Sequence, residues 1–516
     1  MTTAAADPRS STVDDVVRRS AGRHPDRAAL VFADRSWTYA ELDAGVSRAA
    51  AHLLSLGLVK GDRVATVGAN SDAYLLAFLG CARAGLVHVP VNYALTGGEL
   101  SYLLRQSGSR VALVDPALRE TVESVRADTA VEQVLVLHGA PGAVLEGWAE
   151  GPVPELETAV VDTDLVQLLY TSGTTALPKG AMMTHRALVH EYLSCVVGLD
   201  FTAVGSQLVC MPLYHSAGMH VFLLPGLMVG MTNHLLPRPD VPAVLGMVAE
   251  HRIEALFLAP TVWVPLANHP DLATADLSSL RQAYYGASIM PVPVLQRLQQ
   301  QLPGLGFYNC FGQSEIGPLA CVLRPEEHAE RPESCGRPVV FVETRVVDEE
   351  GADVPAGESG ELLYRSPQLC TGYWDNPEAS EQAFAGGWFH SGDMVRADEA
   401  GYLTVVDRIK DVINTGGVLV ASREVEDALY THEAVAEVAV IAQPDERWIE
   451  AVTAVVVLRE GRVGDDDLAA ELIAHARSTL APFKIPKRVH FVADLPRNQS
   501  GKLLKRVLRD DISSGT

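Results

Sequence analysis

Short apolar runs of strand type alternate with helix-period segments early in this 516-residue chain. That alternation limits the fold more than any other feature. The runs read AALVF (28–32), RVATVG (63–68), HVPV (88–91), RVALVD (110–115) and EQVLVL (132–137). Between them lie helical patterns such as YAELDAGVSRAAAHLLSLG and SDAYLLAFLGCARAG. Strands alternating with helices pair in parallel through crossover connections, so an α/β fold with parallel sheets is expected. The length exceeds what one core supports and predicts two or more domains. From about residue 340 the texture changes. FVETRVVDEEGADVPAGESGELLYRS reads as strands joined by the tight turns DEEG and PAGESG, a small β-rich subdomain. After Asp407 the pattern becomes compact α+β, with EVEDALYTH and LAAELIAHARSTL as helices and EVAVIAQP and TAVVVLRE as strands. The expected organisation is a large N-terminal domain of several subdomains over 1–407, a junction at 408–411 and a smaller C-terminal α+β domain over 412–516.

The formal net charge of −23 argues against nucleic-acid and anionic-membrane partners, but not against a locally basic site for an anionic substrate. The start, MTTAAADPRSSTVDD, lacks the apolar core of a signal peptide. The longest apolar stretch, roughly 219–231, is interrupted by Pro225 and glycines and is too short to span a bilayer. No pair of the seven cysteines forms a CxxC motif, so neither a metal knuckle nor a disulfide framework is expected, and a reducing cytoplasm fits. Lysine is scarce, at positions 60, 179, 410, 484, 487, 502 and 505. It survives where a compact charge on a flexible stem is needed and a planar fork would not serve. Lys60 and Lys505 read as chance retentions.

The segment YTSGTTALPKG (170–180) carries the strongest local chemistry. Thr171, Ser172, Thr174 and Thr175 surround Gly173, and Lys179 follows; hydroxyls, freed backbone N–H groups and one ammonium are what a nucleotide triphosphate requires of a loop. The strand-type run DLVQLLY leads into it. It is not a Walker A loop, because GxxxxGK[ST] is absent.

This segment resembles the phosphate loop of the ANL adenylate-forming superfamily, the acyl- and aryl-CoA ligases, adenylation domains and luciferases, with Ala176 where that family has glycine. Further motifs follow in the family's order across nearly the whole chain. MPLYHSAGMH (211–220) resembles PLxHxxG, which makes His215 the histidine that steers a carboxylate toward the α-phosphate. The acidic partner of amino-acid-activating relatives is missing there. YYGASI (284–289) resembles the segment bordering adenine and the acyl pocket, with Gly286, Ala287 and Ser288 small enough for a flat ligand. YNCFGQSEIG (308–317) resembles YGxTE: Phe311 would stack on adenine beside Gly312 and Gln313, Ser314 keeps the hydroxyl, and Glu315 matches the magnesium ligand. Asp393 and Arg408 match the ribose contacts, Lys410 the hinge position, and Lys502 in PRNQSGKLLKR the C-terminal catalytic lysine. Gly416 and Gly417 leave room for a pantetheine arm.

The resemblance implies ATP-dependent formation of an acyl-adenylate and then a thioester with coenzyme A. It implies Mg²⁺ on Glu315, catalytic roles for Lys502, His215, Glu315 and Thr174, and a mobile C-terminal domain turning about 408–411. One departure bears on the second step. The family's GGxNVxPxEVE reads GGVLVASREVE (416–426) here, with Leu419 for a polar residue and Ser422 for proline. Adenylation is therefore expected intact, with slower thioester formation or another acceptor, such as a carrier-protein thiol or a partner enzyme. His220, Trp263, Tyr285, Ser288, Phe311 and Ile316 lie near these motifs and suit a hydrophobic acid. A homodimer is the expected assembly if the chain associates.

Overall fold

The computed structural model describes residues 9–156, 158–171, 177–288, 290–416, 418–445, 447–497 and 503–514. Two compact units emerge: Met1–Glu343 with Arg365–Phe389, and Thr344–Tyr364 with His390–Thr516.

The first unit is α/β and holds two sheets. In the six-stranded sheet the order is Gln133–Val136, Ser109–Val114, Arg63–Val67, Val87–Val91, Leu165–Thr171 and Lys179–Thr184. Its strands run parallel until the last, which turns back antiparallel. The nine-stranded sheet is parallel through its middle and antiparallel at both edges. A parallel sheet needs helices on its faces, and the helices Tyr39–Ser55, Asp72–Ala84 and His185–Gly198 supply them. Thr38 and Glu41 form a capping box that fixes where the first of these begins.

One core joins residues of both sheets, among them Leu30, Leu113, Val166 and Leu235, around the buried helix Asp72–Ala84. Phe78 on that helix is fully buried, a contribution of roughly 1.5–3 kcal/mol. Among the described residues no helix is long and apolar enough to cross a membrane. The cysteines are buried free thiols.

The second unit contains a four-stranded sheet (Glu343–Val347, Ser359–Arg365, Phe389–Ala397, Leu403–Arg408) and a five-stranded sheet built on the long hairpin Val435–Asp445 and Ile449–Leu458. Side-chain bonds tie the two together. Ser422 donates to Asp407 Oδ2 from both its backbone N–H and its hydroxyl, at 2.6 and 2.7 Å. Arg423 reaches the Val405 carbonyl at 2.6 Å. These bonds join the small sheet to the C-terminal residues.

Candidate active site

A hairpin builds the first part of the site. Thr171 ends one strand, Lys179 begins the next, and the two are register partners. The intervening Ser172, Gly173, Thr174, Thr175 and Ala176 lie outside the described residues. Against the second strand runs the segment 371–374: Thr371 donates to Met182 O, Met182 to Gly372 O and Trp374 to Gly180 O, at 2.9, 2.9 and 2.8 Å. This pairing sets Tyr373 beside Lys179, whose ammonium lies 5.1 Å from the ring centre.

Glu315 comes from the other sheet, 144 positions from Thr171, on a short turn after the strand Gly306–Phe311. It is buried. Its Oε1 accepts from the Thr171 hydroxyl at 2.9 Å and the Tyr373 hydroxyl at 3.2 Å. Burial first, then the Glu315 charge, pushes the Tyr373 phenol well above its ordinary range, so it stays a donor. Ser314, next in the turn, lies 2.8 Å from the Ser216 hydroxyl. That contact ties the Glu315 turn to the loop bearing His215, whose Nδ1 accepts from Ala217 N–H at 3.3 Å. A π-helical turn, Ala217–Leu223, follows directly; such turns recur at functional sites. The Gln313 amide nitrogen is buried with no partner among the described residues, and Phe311 beside it is half-buried.

Gly286 ends its strand where an added Cβ would fall 2.2 Å from the Cys310 carbonyl, so its small size already serves sheet packing. Gly312 likewise lies against the Pro318 carbonyl. Ala287, at φ 65°, and Ser288 are exposed. A cavity of about 430 Å³ in the same unit is lined by Ala69, Tyr93, Leu236, Arg238 and Asp240 among others. It sits past the ends of the strands Arg63–Val67 and Thr232–Leu235, where open α/β sheets hold ligands.

In the second unit Asp393 and Arg408 are partners across an antiparallel pair. Their side chains form an ion pair at 2.6 Å, with Asp393 almost wholly buried. Gly416 adopts φ 67° and donates to Trp448 O at 2.6 Å. Leu419 is 56% exposed. Gly417 and Lys502 lie outside the described residues.

Three sequence expectations need correction. His220 was expected near the acyl group, yet both its ring nitrogens are engaged in the interior. The Tyr192 hydroxyl donates to Nδ1 at 2.9 Å, and Nε2–H donates to Gln167 Oε1 at 2.7 Å. The Gln167 amide then donates to His88 Nδ1, and His88 Nε2–H to the Thr66 hydroxyl, each at 3.0 Å. The ring protons are assigned from this direction of donation, and both histidines are neutral, pushed down to about 3 by burial. Lys505 is no chance retention: it pairs with Glu426 at 2.7 Å and donates to the Ser422 hydroxyl at 2.5 Å. Lys60, too, is placed, bridging to Asp164 at 2.6 Å. Of the other expected pocket residues, Trp263 donates to Tyr284 O at 3.0 Å and the Tyr285 hydroxyl to His328 Nε2 at 3.0 Å. Sequence reasoning missed Tyr373, Ser216, Glu191 and Gln368. Nothing local marks them, since each acts through a partner far along the chain.

A buried carboxylate that accepts from two hydroxyls, one of them on a ring beside the Lys179 ammonium, fits an adenylate-forming enzyme. The AMP-binding enzyme family model matches residues 17–374, and the AMP-binding enzyme C-terminal domain matches 424–502. The chain belongs to the AMP-binding enzyme family, and it is an AMP-forming acid–thiol ligase. It is 38% identical over 491 residues to a feruloyl-CoA synthase of Amycolatopsis, covering 95% of this chain and 97% of that protein. It is 32% identical over 509 residues to an indoleacetate–CoA ligase of Aromatoleum aromaticum, covering 97% and 98%. Among solved structures, the anthranilate CoA ligase AuaEII in complex with anthranoyl-AMP superposes with a TM-score of 0.91 at 27% identity over 99% of both chains.

Proposed function

We propose that this chain activates a hydrophobic carboxylic acid, an aryl acid in the first instance, as its acyl-adenylate and then transfers the acyl group to coenzyme A. The observation that carries the reading is Glu315: a buried carboxylate brought from one sheet to the end of the Thr171–Lys179 hairpin of the other. The aryl preference is supported by relatives that act on ferulate and indoleacetate.

In the first step a substrate carboxylate oxygen attacks the α-phosphorus of ATP, and the bond to pyrophosphate breaks. Two anions must approach, so offsetting charge is the main task. Lys179 and Lys502 are the ammonium groups assigned to it, with the hydroxyls of Thr171, Ser172, Thr174, Thr175 and Ser314. His215 orients the acid. Asp393, oriented by Arg408, holds the ribose diol; Phe311, Gly286, Ala287 and Ser288 border the adenine.

The site fits Mg²⁺. That ion takes one or two carboxylates together with phosphate oxygens, and Glu315 is a buried carboxylate whose bonds among the described residues both fall on Oε1. Bound there, the ion would neutralise phosphate charge. In the second step the thiol attacks the adenylate carbonyl and AMP leaves, after the backbone turns about 408–411. Gly416 and Gly417 line the arm of the thiol substrate. A carrier-protein thiol is the second reading, favoured by the exposed Leu419 in that segment.

ATP–pyrophosphate exchange across a panel of aryl and alkyl acids tests the first step. Exchange with none of them would overturn the reading.

A further inference from the structure

The turn that carries Glu315 is held by more than its own backbone bonds, such as Ile316 N–H to Gln313 O at 3.0 Å. A second glutamate, Glu191, lies beneath it on the helix His185–Gly198. Glu191 is fully buried, as are Ser194 and Cys195 one turn on and Gln368 opposite. Its Oε1 accepts from Leu319 N–H at 2.8 Å and from the Cys195 thiol at 3.3 Å. Its Oε2 accepts from the Gln368 amide. The same amide donates to Ile316 O at 3.2 Å and Leu319 O at 3.1 Å, while its oxygen accepts from the Ser194 hydroxyl at 2.6 Å.

Each of these backbone bonds falls within four residues of Glu315. Gly317 completes the fit: at φ 105°, an added Cβ would sit 3.0 Å from Glu191 Cβ. Cys370 N–H holds the Glu315 carbonyl from the side, at 2.8 Å. Among the described residues no cation pairs with Glu191. A buried carboxyl without a counter-charge is costly. The fold spends that cost on fixing one turn.

We propose that Glu191 is a positioning residue for the cation site: acting through Gln368 and the Leu319 N–H, it sets where the Glu315 carboxylate stands. The inference rests on Glu315 as the cation ligand. Partners one shell out from a metal typically change its affinity by about 10- to 100-fold when removed.

The test uses the full chain with a non-hydrolysable ATP analogue and Mn²⁺ as a spectroscopic probe, its binding followed by electron paramagnetic resonance. Glu191→Gln keeps the volume but sets one amide N–H against that of Gln368. We expect Mn²⁺ binding to weaken by about tenfold, with metal-free nucleotide affinity changed less than about twofold. Gln368→Met removes the amide and leaves Glu191 on Leu319; the same weakening is expected, so the inference stays testable if Glu191→Gln does not fold. A folded variant of either kind that binds Mn²⁺ like the wild type overturns the proposal. Glu315→Gln separates the two ideas. If it weakens Mn²⁺ and the Glu191 and Gln368 variants do not, only the positioning role falls. If it leaves Mn²⁺ binding unchanged, the cation reading of Glu315 falls too.

Discussion

Tyr373 offers the sharpest quantitative test of the site, because it makes two separable contacts. Its hydroxyl donates to Glu315 Oε1 at 3.2 Å, and its ring lies 5.1 Å from the Lys179 ammonium. Tyr373→Phe removes the first and keeps the second. A hydrogen bond to a charged group is worth about 1.5–3 kcal/mol, and a long one sharing its acceptor with Thr171 lies at or below the lower end. A loss of about 1–1.5 kcal/mol lowers the adenylation rate roughly five- to tenfold. Tyr373→Leu also removes the ring, adding a cation–π loss of about 0.5–1 kcal/mol and a further factor of roughly two to five.

The assay is acid-dependent ATP–pyrophosphate exchange with saturating acid, so that the loss reads on the nucleotide side. Because burial and Glu315 both raise the phenol, Tyr373 stays protonated and the ratio of wild type to Tyr373→Phe is flat with pH. A loss of about a thousandfold, more than 4 kcal/mol, would mean that the hydroxyl touches the reacting atoms. Equal rates for wild type and Tyr373→Phe would mean that Glu315 needs no second donor. Either result refutes the argument.

Other expectations concern the second unit and the core. Lys502→Ala lowers exchange by orders of magnitude while leaving the melting temperature near that of the wild type. Asp393→Asn raises the KM for ATP and leaves that for the acid unchanged, as steady-state kinetics will show; equal changes in both would count against a ribose role. Leu419→Asn speeds thioester formation relative to adenylate formation when the two products are followed separately with coenzyme A; an unchanged ratio removes Leu419 as the cause of a slow second step. The neutral pair His88 and His220 gives the fold a pH dependence. Both are held down to about 3 by burial, against about 6.5 in an unfolded chain. Their stabilisation is complete above about pH 6.5 and is lost as pH falls toward 3, by up to about 1.4 kcal/mol per pH unit for each ring. Denaturant unfolding from pH 7 to 4 measures this, and a His88→Asn, His220→Asn double variant should show the shallower slope.

What the sequence disclosed, and what it hid, follows from how far each signal reaches along the chain. Strand–helix alternation is local, so the parallel sheets were legible in runs such as RVATVG and RVALVD, which became the neighbouring strands Arg63–Val67 and Ser109–Val114. Residue order cannot show which distant atoms meet. Lys505 looked dispensable because its partners, Glu426 and Ser422, are about eighty positions away. His220 looked like a ligand-facing ring because it sits in a motif. Its role is decided by Gln167 and Tyr192, 53 and 28 positions back.

The helix His185–Gly198 is silent in the sequence for the same reason, because its contacts with the site lie far along the chain. Its sequence, HRALVHEYLSCVVG, carries one acid, and nothing local marks Glu191 as part of a site. Two adjacent residues on that helix point to different layers. Glu191 reaches the Glu315 turn through Gln368, while Tyr192 reaches the π-helical turn after His215 through His220. A helix of 14 residues that begins directly after the strand Lys179–Thr184 thereby braces both the turn bearing Glu315 and the turn following His215. Substituting either residue should disturb a different substrate: Glu191 the nucleotide and its cation, Tyr192 the acid. That division requires Tyr192→Phe to raise the KM for the acid more than that for ATP. The opposite split would show that the helix acts on the site as a single rigid support.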